Sequence, residues 1–315
     1  MNLSKKAFAL LLCVMLVSVS FLAMAQQAPV RVAALKGPTA MGLVKLMDDS
    51  REGDKYAFTL AASPDVLVPA IAKGEVDFAC LPVNLAAILY KNTKGAIQVT
   101  NVNTLGVIYI LEKGEGVKAL SDLSGRKVYA SGKASTPEYA LTYLLEEAGV
   151  KDVTVEWKAE HAEALAAFLQ DPEGLAMLPQ PFVTVAQTKN DQIKIALDLT
   201  REWEQVTGDT MITGVTVARK AFLEENPQAA AQFLTDYEGS VAYVNANTKE
   251  AAELIGGFEI VAAPVAEKAL PYCNITFIQG EDMEKALVPF YQMLFDQNPQ
   301  SVGGQMPDAA FYYKP

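Results

Sequence analysis

The sequence predicts an α/β protein of two lobes, in which the second lobe is inserted into the first and a helical C-terminal tail follows. Three observations support this class. Short apolar strands alternate with amphipathic helices from Pro29 onward. The 315 residues exceed the usual size of one domain. After a strand over Met211–Val217, only helical periodicity follows, so this tail must pack on a sheet formed earlier.

Residues 1–25 have the composition of an export signal. Two lysines precede an apolar run from Ala7 to Leu22, and Ala23-Met24-Ala25 has the Ala-x-Ala form of a cleavage site. The alternative is an uncleaved membrane anchor. Cleavage predicts a mature chain that begins at Gln26 and is periplasmic or otherwise extracytoplasmic.

The chain is acidic, with 26 Lys and Arg against 37 Asp and Glu and a formal net charge of −11. Removal of the leader takes away two more lysines. This balance argues against a nucleic-acid partner and against an anionic membrane surface. It leaves a small ligand unconstrained, since such a ligand responds only to local charge.

The first predicted strand, Val32–Leu35, ends in a turn at Gly37-Pro38. Apolar residues then recur at the spacing of one helix face: Ala40, Leu43, Val44 and Met47. Such a turn places backbone N–H groups at the carboxyl edge of a sheet, where open α/β proteins bind ligands. The candidate ligand-binding residues at this turn are Lys36, Gly37, Pro38 and Thr39.

The remainder of the first lobe, predicted to comprise residues 29–112 and 215–315, continues the alternation. Strands are predicted over Tyr56–Ala61, Val76–Leu81, Ile97–Val102 and Val107–Leu111. A helix begins after Ser63 and ends at Gly74, and a second covers Leu85–Tyr90. Asn84 lies at the turn before this second helix and is a further candidate for ligand binding.

The second lobe, predicted over residues 113–214, starts after a glycine-containing break. Strands are predicted up to Ala130 and over Val153–Trp157, Leu175–Leu178 and Ile193–Leu197. Helices begin at Ser135 or Thr136, at Glu160 and at Phe182. The candidate residues at its turns are Ser131, Gly132, Thr136 and Gln180. Gly214, where the chain is predicted to return to the first lobe, is also a candidate for ligand binding. The chain is thus expected to cross between the lobes twice, and two crossing segments predict a hinge.

Four strand-to-helix turns, two from each lobe, are thus expected to face one cleft. Prolines stiffen them by fixing φ, which lowers the ordering cost of binding. Ordinary helix capping explains any one turn alone. The convergence of four favours a binding site.

Catalytic and metal-site motifs are absent from the sequence. It has no G-x-S-x-G, H-E-x-x-H, C-x-x-C or P-loop pattern. The only histidine, His161, reads as a capping or surface residue at a helix start. Cys80 and Cys273 either form a disulfide or stay free, since Cys80 lies in an apolar strand. We therefore predict a non-enzyme with no cofactor and no metal.

The turns are also similar to those of a known family. The relevant segments are Lys36–Gly42, Gly74–Asp77, Leu81–Ala86, Tyr129–Lys133, Thr136–Ala140, Leu178–Pro181, Leu270–Ile275 and Asn298–Gly304. They resemble ABC-transporter solute-binding proteins, more narrowly the nitrate/sulfonate/taurine-type branch. The resemblance implies a two-lobe, type II periplasmic-binding fold that closes on a small molecule. It further implies, as partners, a membrane permease with its ATPase, and we expect a monomer.

The ligand is not given by this resemblance. No arginine lies at the four turns, so bidentate recognition of a sulfonate is not supported. A neutral or amphipathic ring stacked on Tyr139, Phe182 or Trp203 is an equal alternative. One other function stays open: an enzyme of the same fold acting on a thiamine- or menaquinone-related precursor. A sensor or receptor lobe is disfavoured, because it would want a fused transmembrane output and the sequence predicts none after the leader.

Overall fold

The computed structural model describes residues 28–53 and 55–315, so the predicted leader at residues 1–25 lies outside the described part. The predicted class is confirmed, because two mixed β-sheets are each flanked by helices and the second is inserted in the first. We call the six-stranded sheet sheet 1 and, together with its helices, lobe 1. The five-stranded sheet is sheet 2 and, together with its helices, lobe 2.

The strands are β1 (Val30–Leu35), β2 (Tyr56–Ala61), β3 (Phe78–Pro82), β4 (Ile97–Leu105), β5 (Ile108–Glu112), β6 (Lys127–Ser131), β7 (Thr154–Lys158), β8 (Leu175–Pro179), β9 (Lys194–Asp198), β10 (Ile212–Arg219) and β11 (Ile275–Gln279). The α-helices are α1 (Pro38–Met41), α2 (Val44–Asp49), α3 (Pro64–Ala72), α4 (Val83–Asn92), α5 (Thr136–Glu147), α6 (His161–Gln170), α7 (Phe182–Lys189), α8 (Leu199–Thr207), α9 (Lys220–Glu225), α10 (Pro227–Ala246), α11 (Thr248–Gly257), α12 (Ala263–Ala269) and α13 (Gly280–Gln297).

Strand direction determines which ends of the two sheets can form a site. Lobe 1 has the order β11-β4-β10-β3-β1-β2, with β1 parallel to β2 and β3, and β10 antiparallel to β3 and β4. Lobe 2 has the order β7-β6-β8-β5-β9, with β6 parallel to β7 and β8, and β5 antiparallel to β8 and β9. The carboxyl ends of β1 to β4 therefore share one edge, as do those of β6 to β9.

Two short segments connect the lobes. Strand β4 leads into β5 through Gly106 and Val107 alone, and residues 208–211 lead from α8 back into β10. The chain thus joins the second sheet at Ile108, ahead of the predicted boundary at residue 113. It rejoins the first sheet at Ile212, a few residues before the predicted 215. That these segments act as a hinge stays a prediction.

The turn after β1 departs from the single helix that its apolar spacing predicts. The chain forms two short helices, α1 and α2, interrupted at Gly42-Leu43. The hydroxyl of Ser240 donates to the Gly42 carbonyl oxygen (2.7 Å) and accepts from the Leu46 N–H (3.1 Å). These are the two groups that a continuous helix would pair, so the inserted side chain accounts for the break.

The tail is not purely helical, and the prediction that no further strand follows β10 is wrong. Strand β11 forms the edge of sheet 1 by antiparallel pairing with β4. Its β-branched and aromatic residues, Ile275-Thr276-Phe277-Ile278, suit a strand. The segment has only five residues and an irregular register, so it lacks the alternation that identifies longer strands. The tail does pack on lobe 1, as expected.

The apolar core has three parts. One cluster lies between sheet 1 and the helices of the tail, and a smaller one lies between sheet 2 and the pair α6 and α7. The largest cluster runs from lobe 1 into lobe 2 and includes Leu81, Ile110 and Trp203. Apolar surface of both lobes is therefore buried together in one cluster. In residues 28–53 and 55–315, no helix is long and apolar enough to cross a membrane.

Candidate interlobe binding site

The carboxyl edges of the two sheets face each other because of how the chain crosses between them. Strand β4 ends at the carboxyl edge of sheet 1, and two residues later β5 starts at the carboxyl edge of sheet 2. The first turns of α4, α5 and α7 leave these edges. The interlobe site predicted from the sequence is therefore compatible with the topology of the fold.

Asn84 and Thr136, predicted from separate turns, meet across the lobes. Asn84 is the second residue of α4, and Thr136 is the first residue of α5. The Thr136 hydroxyl donates to Asn84 Oδ1 (3.3 Å), and Asn84 Nδ2 donates to the Ala134 carbonyl oxygen (3.5 Å). Both side chains are 1% exposed. The lobes are thus hydrogen-bonded at the centre of the edge.

Gly214 and Thr39 are also brought together. A Cβ atom on Gly214 would lie 2.7 Å from Thr39 Cγ2 and 2.5 Å from Asn103 Oδ1. The absence of a side chain therefore lets Thr39 and Asn103 approach strand β10. The Thr39 hydroxyl donates to the Leu35 carbonyl oxygen (2.9 Å), which closes the turn after β1. Both residues shape the lobe 1 wall of the site.

The remaining candidates at the turn after β1 are Lys36, Gly37 and Pro38. Lys36 is exposed, and its Nζ donates to the Glu259 carbonyl oxygen at 3.0 Å. Pro38 is the first residue of α1 and follows Gly37. Gly37 has a φ of 136°, a backbone conformation that would be strained for any other residue. Helix α1 has four residues, so it provides no extended helix N-terminus for an anion. That these three residues bind a ligand stays a prediction.

Asn103 is a polar residue of the lobe 1 wall that sequence reasoning missed. Its Nδ2 donates to the Thr216 hydroxyl (3.1 Å), and its Oδ1 accepts from the Thr104 hydroxyl (2.9 Å). The Cys80 thiol lies 3.4 Å from the Thr216 hydroxyl, so the network continues into β3. The signal was present in the sequence, because an amide at residue 103 is unusual near the end of a buried strand.

Ser131, Gly132 and Gln180 line the carboxyl edge of lobe 2. Gly132 has a φ of +87°, and a Cβ there would lie 2.9 Å from Ser135 Oγ. The Gln180 N–H donates to the Val107 carbonyl oxygen (3.0 Å) in the connection between the lobes. Its side-chain oxygen accepts from the Thr184 hydroxyl (2.9 Å) and so fixes the start of α7. The peptide bond between Gln180 and Pro181 is cis.

His161 is not the capping or surface residue that the sequence predicted. Its Nδ1 is hydrogen-bonded to the Ser131 hydroxyl at the end of β6. The ring centroid lies 5.1 Å from that of Phe182, the first residue of α7. The ring is crowded by protein on most sides, and this burial lowers the pKa of His161 to about 4. The contact joins residues 30 positions apart, so no local pattern could reveal it.

Aromatic side chains close the lobes beside the polar centre. The Trp203 ring of α8 lies 5.5 Å from Phe290 of lobe 1 and 5.3 Å from Tyr143 of lobe 2. Trp203 is 1% exposed, so it is committed to packing between the lobes rather than to a free stacking surface. The Tyr109 hydroxyl of lobe 2 donates to the Tyr272 carbonyl oxygen of lobe 1 (3.4 Å).

Neither cysteine is available for nucleophilic chemistry. Cys80 and Cys273 are free and buried, which answers the open question about a disulfide. Burial raises the pKa of Cys80 to about 11 and that of Cys273 to about 12. Within the described residues, no three His, Cys, Asp or Glu side chains are grouped so that they could hold a metal ion.

Two of the surface cavities lie away from the interlobe edge. One of about 360 Å³ is lined by β1, β2 and the start of α10, and one of about 490 Å³ lies between α2 and α10. Both are lined by residues of lobe 1. Neither contains a candidate residue predicted from the sequence.

Two mixed sheets, an inserted second lobe and facing carboxyl edges define a two-lobe protein of the type II periplasmic-binding-protein-like class. Residues 38–296 match the sequence model of the family described as menaquinone biosynthesis, and the chain belongs to that family. It is also 20% identical over 243 residues to proteins of Brucella abortus and Brucella suis that are named only as binding proteins. That alignment covers 75% of this chain and 73% of each relative.

Solved structures confirm the fold expected from the resemblance. An ABC transporter protein from Parabacteroides distasonis aligns with a TM-score of 0.78 at 22% identity, over 91% of this chain and 99% of that one. The periplasmic aliphatic sulphonate binding protein of Escherichia coli aligns with a TM-score of 0.73 at 19% identity, over 92% and 93% of the two chains. At this identity the similarity establishes the fold alone.

Proposed function

We propose that the chain is an extracytoplasmic solute-binding protein of an ABC importer. It captures a small organic molecule between its lobes by hinge closure and delivers it to the permease and its ATPase. The observation that carries this proposal is the hydrogen-bonded contact of Asn84 with Thr136 and Ala134 at two facing carboxyl edges. The names of the structural relatives, which are transport components, support it.

Closure follows from a shift in populations. A ligand that touches both lobes does so only when they are closed, so it stabilises that state by its differential affinity. Thr39, Gly214 and Asn84 would face it from lobe 1, and Thr136, Ser131 and Gln180 from lobe 2. The acidic surface away from the cleft would meet the permease, and the protein would act as a monomer.

The first experiment recovers the natural ligand. Protein exported from its own host is analysed by native mass spectrometry, and any bound molecule is removed by unfolding and refolding. X-ray scattering then measures the radius of gyration with and without the recovered compound. We expect compaction on binding. A compound that binds tightly without compaction contradicts hinge closure, and N-terminal sequencing tests cleavage before Gln26.

A second candidate function is an enzyme of the same fold that acts on a menaquinone-related precursor. The family match favours it, as does the pairing of Ser131 with His161 at the site. The recovered compound separates the two functions. A binding protein returns it chemically unchanged after prolonged incubation, whereas an enzyme converts it. Genes for a permease and an ATPase beside this one would favour transport.

A further inference from the structure

Three elements of lobe 2 bring an imidazole, a hydroxyl and an aromatic ring to one place on the carboxyl edge. Ser131 ends β6, His161 begins α6 and Phe182 begins α7. Helix α7 packs against α12 of lobe 1, so this edge lies next to the opposite lobe. The cluster therefore lies beside the contact between the lobes.

The arrangement leaves one ring nitrogen of His161 for another partner. Nδ1 is engaged by the Ser131 hydroxyl. Among the residues that the structure describes, Nε2 has no hydrogen-bond partner, and it is not one of the fully enclosed polar atoms. His161 retains part of its surface despite the crowding of its ring. An oriented imidazole with one free nitrogen is a hydrogen-bonding group for a ligand.

Four of the five arginines of the described chain lie away from this edge, and the fifth, Arg201, is exposed. Arg31 and Arg219 bind Asp77 at the opposite end of sheet 1, with N–O distances of 2.7 and 2.9 Å. Arg126 donates to the Glu173 carbonyl oxygen at the far end of sheet 2. Arg51 pairs with Asp48, and Arg201 is exposed on α8. The first four are therefore too far from this edge for the bidentate contact that sulfonates and carboxylates favour. Arg201 lies in the first turn of α8 at this edge, but its side chain is exposed and is not part of the buried cluster.

The lysines near the edge do not supply a buried positive charge. Lys36 is exposed and bonded to the Glu259 carbonyl oxygen. Lys133 is exposed at the rim, where the Glu138 carboxylate accepts from the Ala134 N–H (2.5 Å) and provides the opposite charge. The imidazole itself is neutral at pH 7, because burial lowers its pKa to about 4. Among the residues that the structure describes, this edge therefore holds no buried positive charge, and the half-buried carboxylate of Asp198, which caps α8 at the end of β9, adds negative charge.

We propose that His161 is a ligand-binding residue of the interlobe site and that it recognises an uncharged, hydrogen-bonding group of a small organic molecule. Ser131 orients the ring, and Phe182 packs beside it. An organic anion would lose its hydration here without gaining a cation, whereas an amide or hydroxyl exchanges one hydrogen bond for another. This inference rests on the proposed function and specifies its ligand class.

The sequence has a single histidine, so labelling with [¹⁵N]histidine gives NMR signals from one imidazole ring, that of His161. Two isosteric pairs serve as probes: nicotinamide with nicotinate, and benzenesulfonamide with benzenesulfonate, each up to millimolar concentrations. We expect the uncharged member of a pair to shift the His161 ring resonances in a saturable manner. The anionic member should bind at least tenfold more weakly.

Variants then separate binding from folding. His161→Phe keeps an aromatic ring beside Phe182 and removes the hydrogen bond, so we expect at least a tenfold loss of affinity for the uncharged probe. Gln170→Ala, at the exposed end of the same helix, is the matched control and should bind as the parent does. Thermal unfolding of both variants establishes that they are folded.

Three results overturn the inference: tighter binding of the anionic probes, no shift of His161 with any probe, or unchanged affinity in His161→Phe. The X-ray scattering experiment tests hinge closure independently of this inference about His161. A recovered ligand that compacts the protein without shifting His161 contradicts this inference and leaves hinge closure intact. A shift of His161 without compaction supports the binding residue and contradicts hinge closure.

Discussion

The two lobes support their halves of the site in different ways. On lobe 1, Asn103, Thr104 and Thr216 form one buried hydrogen-bond network that reaches Cys80 of β3, and Gly214 is closely packed between this network and Thr39. On lobe 2, Ser131 is held by His161, and Gln180 is held by Thr184, as separate pairs. We therefore expect lobe 1 to form a fixed wall and lobe 2 to hold the side chains that adjust when a ligand binds.

The strongest test of the fixed wall is Gly214→Ala. The added methyl group would lie 2.5 Å from Asn103 Oδ1 and 2.7 Å from Thr39 Cγ2, so strand and turn must separate. We expect the free energy of unfolding, measured with urea, to fall by about 3 kcal/mol. Gly239→Ala is the control, because open space surrounds that helical glycine. It should gain about 0.5–1 kcal/mol. If Gly214→Ala left the free energy of unfolding unchanged, the lobe 1 wall would be shown to adapt to the added methyl group.

Acid should weaken the protein through lobe 2 first. His161 is protonated with a pKa near 6.5 when unfolded but about 4 when folded. Stability is therefore complete above pH 6.5 and falls as the pH drops from 6.5 to 4, by on the order of 3 kcal/mol. Urea unfolding between pH 7 and 4 measures this loss. His161→Phe should remove the pH-dependent part in that range, and an identical profile in the variant would contradict the assignment.

Asn84→Ala probes the contact between the halves. The substitution removes the acceptor of the Thr136 hydroxyl and the donor to Ala134, both buried between the lobes. We expect the closed state to lose about 1–2 kcal/mol relative to the open state. Scattering from the ligand-free protein should show a larger radius of gyration. Asn92→Ala, at the exposed end of the same helix, should leave the radius unchanged. Equal radii for both variants would show that the aromatic contacts alone hold the lobes closed.

The smallest effect concerns the thiols of lobe 1. Burial raises the pKa of Cys80 to about 11 and that of Cys273 to about 12, so neither is a thiolate at pH 8. A disulfide reagent should therefore label no cysteine of the mature folded protein within minutes, and two after unfolding. Fast labelling of Cys80 in the folded protein would show that the network around Thr216 opens readily.

The sequence predicted the parts of the fold that depend on local pattern. Alternating strands and helices, the inserted lobe and the turns that carry Asn84 and Thr136 follow from apolar spacing and from proline and glycine positions. The break at Gly42 does not, because the Ser240 hydroxyl that causes it comes from a helix almost 200 residues later. Strand β11 was missed because it is short and only partly paired.

In the candidate site, too, the sequence predicted what depends on local pattern and missed what depends on distant contacts. Residues at strand ends were found because topology places them at one edge whatever their contacts are. His161 and Asn103 were missed because their roles depend on partners in other elements, Ser131 and Thr216. Lys36 was included for its charge, but its Nζ is directed to the Glu259 carbonyl oxygen. Position in the chain predicts which edge a residue joins, and not which atoms its side chain meets.

Asn274 attaches the C-terminal tail to the connection between the lobes. Its side chain donates to the Gly106 carbonyl oxygen, its own carbonyl accepts from the Leu105 N–H, and it adopts a φ of 44°. The tail is therefore tied to one of the two segments that connect the lobes. If the lobes move about these segments as proposed, we expect loosening of this attachment to alter the rates of ligand capture and release without removing a side chain of the proposed site.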